Sequence, residues 1–255
     1  MPFIVRQYHP FPVLLTVILV VLCSAPTWAG FDEGLATYQQ GDYSTALKEF
    51  RTLAERGDAR AQYMLSHMYA KGEGVPHDDQ LAFWWLQKAA DQELPVAQYS
   101  LGAMYYKGEG VPQNYQLAFH LFNKAAKQGN AKAQVYLGLM YANGQAVPQD
   151  KQKAVLRYSL AANEGIAEAQ YNLATMYLKG DGVPQDYVLA HMWADLASAA
   201  GSPGAAKLQK EVARYMTPAQ IAEAQRLARE WKPKPRENHT KRETMSIEEA
   251  IISQK

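Results

Sequence analysis

The chain has 255 residues, with 26 Lys+Arg against 25 Asp+Glu, a formal net charge of +1 and one cysteine. This near-neutral balance argues against a nucleic-acid binder, because neutralising phosphates needs an excess of Lys and Arg on one face. A lone cysteine gives no disulfide framework, so stability must come from packing apolar faces, which the 48% of apolar residues can provide.

The first predicted element is a leader. Arg6 and His9 precede an apolar run from Phe11 to Cys23, and Ala25-Pro26-Thr27-Trp28-Ala29 places small residues, Thr27 and Ala29, at positions −3 and −1. That layout predicts a signal peptide over residues 1–29, cleaved after Ala29, and export to the periplasm or beyond. The apolar run is short for a membrane crossing, which takes about 20 residues, so no stable span is expected after cleavage. Cys23 fits lipoprotein processing poorly, because Leu22 stands where a small residue is wanted. Cleavage removes Arg6 and Cys23 and leaves 25 basic residues against 25 acidic ones.

Residues 31–58 read as a helix pair: Gly34-Leu35-Ala36-Thr37-Tyr38, a turn at Gly41-Asp42-Tyr43, then Ala46-Leu47-Lys48-Glu49-Phe50. From residue 59 to 202 a unit of 36 residues recurs four times (59–94, 95–130, 131–166, 167–202), marked by Ala61-Gln62-Tyr63, Ala97-Gln98-Tyr99, Ala133-Gln134-Val135 and Ala169-Gln170-Tyr171. A period of this size means stacked supersecondary units, an all-α solenoid. In the second unit Ala97, Leu101, Met104 and Tyr105 fall at i, i+4, i+7 and i+8, one stripe of a helix. The small residues Ser66, Gly102, Gly138 and Ala174 would let a neighbouring helix approach closely. Lys71-Gly72, Lys107-Gly108 and Lys179-Gly180 end that helix with a cation and a glycine. Val-Pro then forces an extended step, and Asp78, Asn114, Asp150 and Asp186 stand as N-caps of a second helix. That helix buries Ala82, Trp85, Leu86 and Ala89 and their counterparts. Two positions break the pattern. Ala146 replaces the second turn glycine, and Arg157 stands where Trp85, Leu121 and Trp193 stand. Arg157 is either a snorkelling side chain over apolar surface or a local opening in the stack. Residues 203–231 read as two closing helices, the second opened by a capping box at Thr217-Pro218-Ala219-Gln220. Pro233 and Pro235 break it, and the tail over 232–255 is expected to be mobile.

The phrase best seen from Val96 to Gln113, Val-Ala-Gln-Tyr-Ser-Leu-Gly-Ala-Met-Tyr-Tyr-Lys-Gly-Glu-Gly-Val-Pro-Gln, followed by Ala118 and Lys124-Ala125-Ala126, closely resembles the Sel-1-like repeat of the tetratricopeptide superfamily. The resemblance implies a right-handed α-α solenoid that serves as an adaptor, regulator or assembly scaffold, often in the bacterial periplasm. A cysteine-rich branch linked to β-lactam binding or hydrolysis is a poor guide here, since these repeats hold no cysteine.

Comparing the four units isolates the positions where they disagree. The columns Arg60, Val96, Lys132, Glu168; Met64, Ser100, Tyr136, Asn172; His67, Ala103, Leu139, Thr175; and Lys71, Lys107, Asn143, Lys179 lie at i, i+4, i+7 and i+11 on one face of the first helix. First helices line the concave side of tetratricopeptide-like stacks, so this face is the candidate partner groove. The Lys residues would steer acidic groups, and Met64, Tyr136 and Leu139 would give apolar contact. Variation is also what an unused solvated face would show. Phe83, Trp84, Phe119 and His120 on the second helices are a competing site, unless buried between units. Catalytic motifs are missing: there is no Gly-x-Ser-x-Gly, His-Glu-x-x-His, phosphate loop or Ser-x-x-Lys. The five histidines beyond the leader, His67, His77, His120, His191 and His239, lack ligand spacing. The expectation is therefore an exported, monomeric, non-enzymatic scaffold for a protein or peptide, with no catalytic residue, cofactor or metal and no nucleic acid. The alternatives are a cell-wall or β-lactam hydrolase, or a secreted effector that binds a host protein.

Overall fold

In a computed structural model, residues 27–234 are described, with side chains from residue 30. The expected leader before residue 27 and the tail after residue 234 lie outside them. The described residues form twelve helices: α1 (Thr27–Gln39), α2 (Tyr43–Glu55), α3 (Ala59–Lys71), α4 (Asp79–Asp91), α5 (Pro95–Lys107), α6 (Tyr115–Lys127), α7 (Ala131–Asn143), α8 (Lys151–Asn163), α9 (Ala167–Lys179), α10 (Tyr187–Ala199), α11 (Ala205–Ala213) and α12 (Pro218–Glu230). Each helix packs on the next through α11, and α12 folds back on α10. The result is an α-α solenoid with no strand among the described residues.

The expected pairs hold, with one shift. The N-terminal pair starts at Thr27 rather than at 31, so α1 runs across the bond after Ala29. Asp78, Asn114, Asp150 and Asp186 cap α4, α6, α8 and α10 through side-chain oxygens that accept from backbone N–H groups, as their spacing predicts. Gly72, Gly108, Gly144 and Gly180 close the first helices in the left-handed conformation. Thr217 and Gln220 complete the capping box of α12, with Thr217 N–H donating to Gln220 Oε1 at 2.8 Å and Gln220 N–H to Thr217 Oγ1 at 3.3 Å. The start of the tail is held: Trp231 packs edge-on to Trp193 with ring centroids 6.1 Å apart, and Lys234 N–H donates to the Asn163 carbonyl at 2.7 Å.

Small residues on the first helices serve close approach. A Cβ on Gly138 would sit 2.6 Å from the Tyr158 ring of α8, so only glycine allows α7 and α8 this contact. The second turn glycine meets different surroundings from unit to unit. At Gly74 a Cβ would meet the Tyr43 carbonyl oxygen of the preceding pair at 2.5 Å, whereas at Gly110 it would meet only Met104 Cε at 3.4 Å. At Gly182 it would likewise clash with the Lys151 carbonyl oxygen, so the turn is tight in the first and fourth units and roomy in the second. Ala146 nevertheless holds φ at +63°, a conformation that costs an L-residue about 1 kcal/mol. Ala146→Gly is expected to raise stability by about 1 kcal/mol in urea unfolding of the purified chain, as the left-handed strain is relieved.

In the first, third and fourth units the residue after the first turn glycine latches onto the preceding helix pair. Tyr38 Oη donates to Glu73 Oε2 at 2.6 Å, Tyr106 Oη to Gln145 Oε1 at 3.1 Å, and Lys151 Nζ to Asp181 Oδ1 at 2.6 Å.

Candidate functional site

The sixteen residues expected to face a partner do not share one environment. Met64 and Val96 are buried, a correction to the expected groove. Met64 falls in the apolar cluster that the N-terminal pair builds from Phe31, Tyr38 and Phe50. Val96 is covered because α5 begins with Leu94-Pro95 in place of a polar cap, and this apolar entry closes on Leu86 and Ala90 of α4. Arg60 is likewise drawn inward: its guanidinium lies 4.3 Å from the Phe31 ring centroid and 3.2 Å from Asp58 Oδ2.

His67 belongs to the joint between the N-terminal pair and the first unit. Its Nε2 is 3.9 Å from Glu73 Oε2, the oxygen that already accepts from Tyr38. Burial holds the imidazole pKa below its ordinary value and outweighs the nearby Glu73 carboxylate, so the ring is neutral at pH 7. His67 and Ser100 line a small cavity of about 180 Å³ between α3, α4 and α5, walled by Tyr63, Phe83 and Leu86.

Tyr136 is a second correction to the expected groove. Its ring stacks on Phe122 at 4.7 Å with an interplanar angle of 21°, and it packs edge-on to Tyr99 at 5.8 Å and to Tyr106 at 5.1 Å. Burial raises its phenol pKa. This ring is mortar between the second and third units rather than a free contact residue.

The remaining columns stay accessible. Lys71, Lys107, Asn143, Lys179 and Glu168 are exposed, and Ser100, Ala103, Lys132, Leu139, Asn172 and Thr175 are half-buried. Tyr63 Oη of α3 lies 3.4 Å from Ser100 Oγ of α5, so these two first helices touch here. The accessible columns carry cations at Lys71, Lys107 and Lys179, with smaller residues between them.

On the second helices, Phe83 and Phe119 are half-buried between units, their rings edge-on to Tyr105 at 6.5 Å and Tyr141 at 5.7 Å. Trp84 is exposed, with Lys88 Nζ 4.2 Å from its ring centroid, and His120 is exposed. The sequence reading missed Leu81, Leu117 and Leu156, which are also exposed on α4, α6 and α8. Their helical positions, off the apolar stripe, were the available signal.

The sequence reading also missed the work of the repeated glutamine. Gln62, Gln98, Gln134 and Gln170 are buried, and each donates its Nε2 to a carbonyl eight residues back, Ala54 at 3.1 Å, Ala90 at 3.4 Å, Ala126 at 3.3 Å and Ala162 at 3.3 Å. These carbonyls lie in the last turns of the preceding second helices and also accept from the backbone N–H three residues on, at Gly57, Glu93, Gly129 and Gly165. In the first two units the glutamine Oε1 accepts from Gln92 at 2.7 Å and Gln128 at 3.0 Å. In the third unit Glu164, which stands in that register, offers no amide donor, and Arg157 Nη1 supplies the bond to Gln134 Oε1 at 3.2 Å. Arg157 therefore neither opens the stack nor merely snorkels; it replaces a missing amide.

Among the described residues no group of three or more His, Cys, Asp or Glu side chains could hold a metal ion, and no helix is long and apolar enough to cross a membrane.

This architecture defines a repeat protein of stacked helix pairs, whose repeated letters are spent on packing and capping. The pattern of the Sel1 repeat family matches residues 59–94, 95–130, 131–166 and 167–202, and the chain belongs to that family. Sel1 repeat proteins are in general protein-interaction scaffolds. Among solved structures it is similar to a protective antigen of uropathogenic Escherichia coli with an SLR fold, at 33% identity and a TM-score of 0.73 over 80% of this chain and 45% of that one. It is also similar to a Sel1 repeat protein from Oxalobacter formigenes, at 28% identity and a TM-score of 0.68 over 81% of this chain and 88% of that one. A negative regulator of exopolysaccharide production from Rhizobium leguminosarum bv. viciae is 36% identical over 62 residues, which are 24% of this chain. The chain spans less than half the length of the E. coli protein and about a quarter of the regulator, 45% and 23%.

Proposed function

We propose that this chain is an exported, non-enzymatic scaffold that acts in the periplasm and captures a protein or peptide along the concave face of its first helices. The observation that carries the reading is the division of labour inside the repeat. The repeated Gln, Asp or Asn and Gly residues are consumed by capping, while Lys71, Lys107, Leu139, Thr175 and Lys179 differ in role from unit to unit or remain accessible. An accessible helical face edged with cations suits an acidic segment of a partner. The E. coli antigen and the exopolysaccharide regulator are compatible with an extracytoplasmic or regulatory adaptor. Charge reversal of Lys71, Lys107 and Lys179 to Glu is expected to weaken partner capture roughly tenfold or more in a pull-down from periplasmic extract, with the melting temperature unchanged. Unaltered capture would count against this face.

A second reading has one observation in its favour: Leu81, Trp84, Leu117 and Leu156 expose apolar surface along the second helices. On that reading the partner docks on the outer face, and the lysine variant retains full capture.

A further inference from the structure

The joints between helix pairs are filled by side chains from two columns that recur every 36 residues, 50/86/122/158 on the second helices and 64/100/136/172 on the first. Phe50 and Met64 are fully buried where the N-terminal pair meets the first unit. Phe122 and Tyr136 stack at 4.7 Å between the second and third units, and the Tyr158 ring packs on Gly138 between the third and fourth. The joint of the first and second units has only Leu86 and Ser100 in these places. It also has Ala70 and Asp79 where Tyr106 and Tyr115 pack edge-on at 5.4 Å in the next joint.

The cavity of about 180 Å³ lies in that joint, with Ala70, Asp79, Leu86 and Ser100 all in its wall. Ala70 and Asp79 are exposed, so the cavity opens to solvent. An apolar cavity of about 150 Å³ is enough to hold benzene, so this one admits a single six-membered aromatic ring. Phe83, Leu86 and Met104 supply apolar wall, while Ser66, His67 and Ser100 bring hydroxyl and imidazole groups to it. A bare hydrocarbon ring would strip water from those groups and return no hydrogen bond, whereas a phenol returns one. Tyr136 is the template inside the molecule, a phenol ring that fills the next joint from the residue in register with Ser100.

We propose that this cavity receives a tyrosine side chain of the captured partner, its ring taking the place between the first and second units that Tyr136 takes between the second and third. The inference rests on the reading of the solenoid as a protein-binding scaffold, and fixes one residue type that the partner must present beside His67 and Ser100.

The test is an NMR titration of the purified chain with acetyl-Ala-Tyr-Ala-amide, against the same peptide with phenylalanine or leucine. Saturable binding is expected for the tyrosine peptide, with movement of the Ser100 and Met104 backbone amide signals, and binding about fivefold weaker or less for the other two. Ser100→Tyr supplies the ring from within, as Tyr136 does, and should weaken binding of the tyrosine peptide about tenfold or more. Leu86→Phe, which restores the ring found at Phe122, should weaken it several-fold and carries the test alone if the first variant does not fold. Absence of saturable binding, equal binding of the phenylalanine peptide, or undiminished binding by the folded variants would overturn the proposal. Saturable binding of free p-cresol without binding of the tyrosine peptide would also overturn it, by assigning the cavity to a small phenol. Such a failure would leave the lysine-dependent capture of a whole partner intact, so the two readings fail separately.

Discussion

Tyr136→Ala should destabilise the chain by about 3 kcal/mol, the range expected for truncating an aromatic side chain that fills a packed joint. The Tyr136 ring stacks on Phe122 and meets Tyr99 and Tyr106 edge-on, so its removal strips contacts from α5, α6 and α7 together. For a chain of this size the loss corresponds to a fall of roughly 6–12 °C in melting temperature, read by circular dichroism. A variant that melts with the parent chain would return Tyr136 to the surface face and restore it as a contact residue. Leu139→Ala, one turn along and half-buried, removes less packing and suits a binding test better.

Arg157→Leu is expected to cost about 2 kcal/mol even though it makes the third unit more like the second, which carries Leu121 at this place. The physical reason is the bond from Arg157 Nη1 to Gln134 Oε1, whose loss leaves a buried acceptor unpaired. Adding Glu164→Gln to this variant restores the amide donor used in the first two units, and most of the lost stability should return. The coupling is measured by urea unfolding of the parent, the two single variants and the double variant. Additive losses would mean that the glutamine ladder contributes nothing to stability.

Local chemistry was legible in the sequence because it repeats within one unit. The N-caps at Asp78, Asn114, Asp150 and Asp186, the glycines closing the first helices and the Thr217 capping box depend on neighbours a few residues away, and they stand where their spacing places them. Contacts between units were less legible. Met64 and Val96 sit in columns that vary, yet variation there does not mean exposure; they vary because the first unit meets the N-terminal pair and the second begins at Leu94-Pro95. Gln98 was visible as a repeated letter, but its bonds reach back to Ala90 and forward to Gln128, a geometry no helical stripe records. A polar residue kept at an interior position of every unit was the clue to that ladder.

The central claim is that the partner lies on the first-helix face. Site-specific photo-crosslinking in cells addresses it directly, with a benzophenone side chain placed in turn at Ala103, Leu139 and Thr175, and at Trp84, Leu117 and Leu156 on the second helices. Crosslinks to one and the same protein from the first set and none from the second are predicted. Crosslinks confined to Trp84, Leu117 and Leu156 would contradict the account and move the binding surface to the outer face.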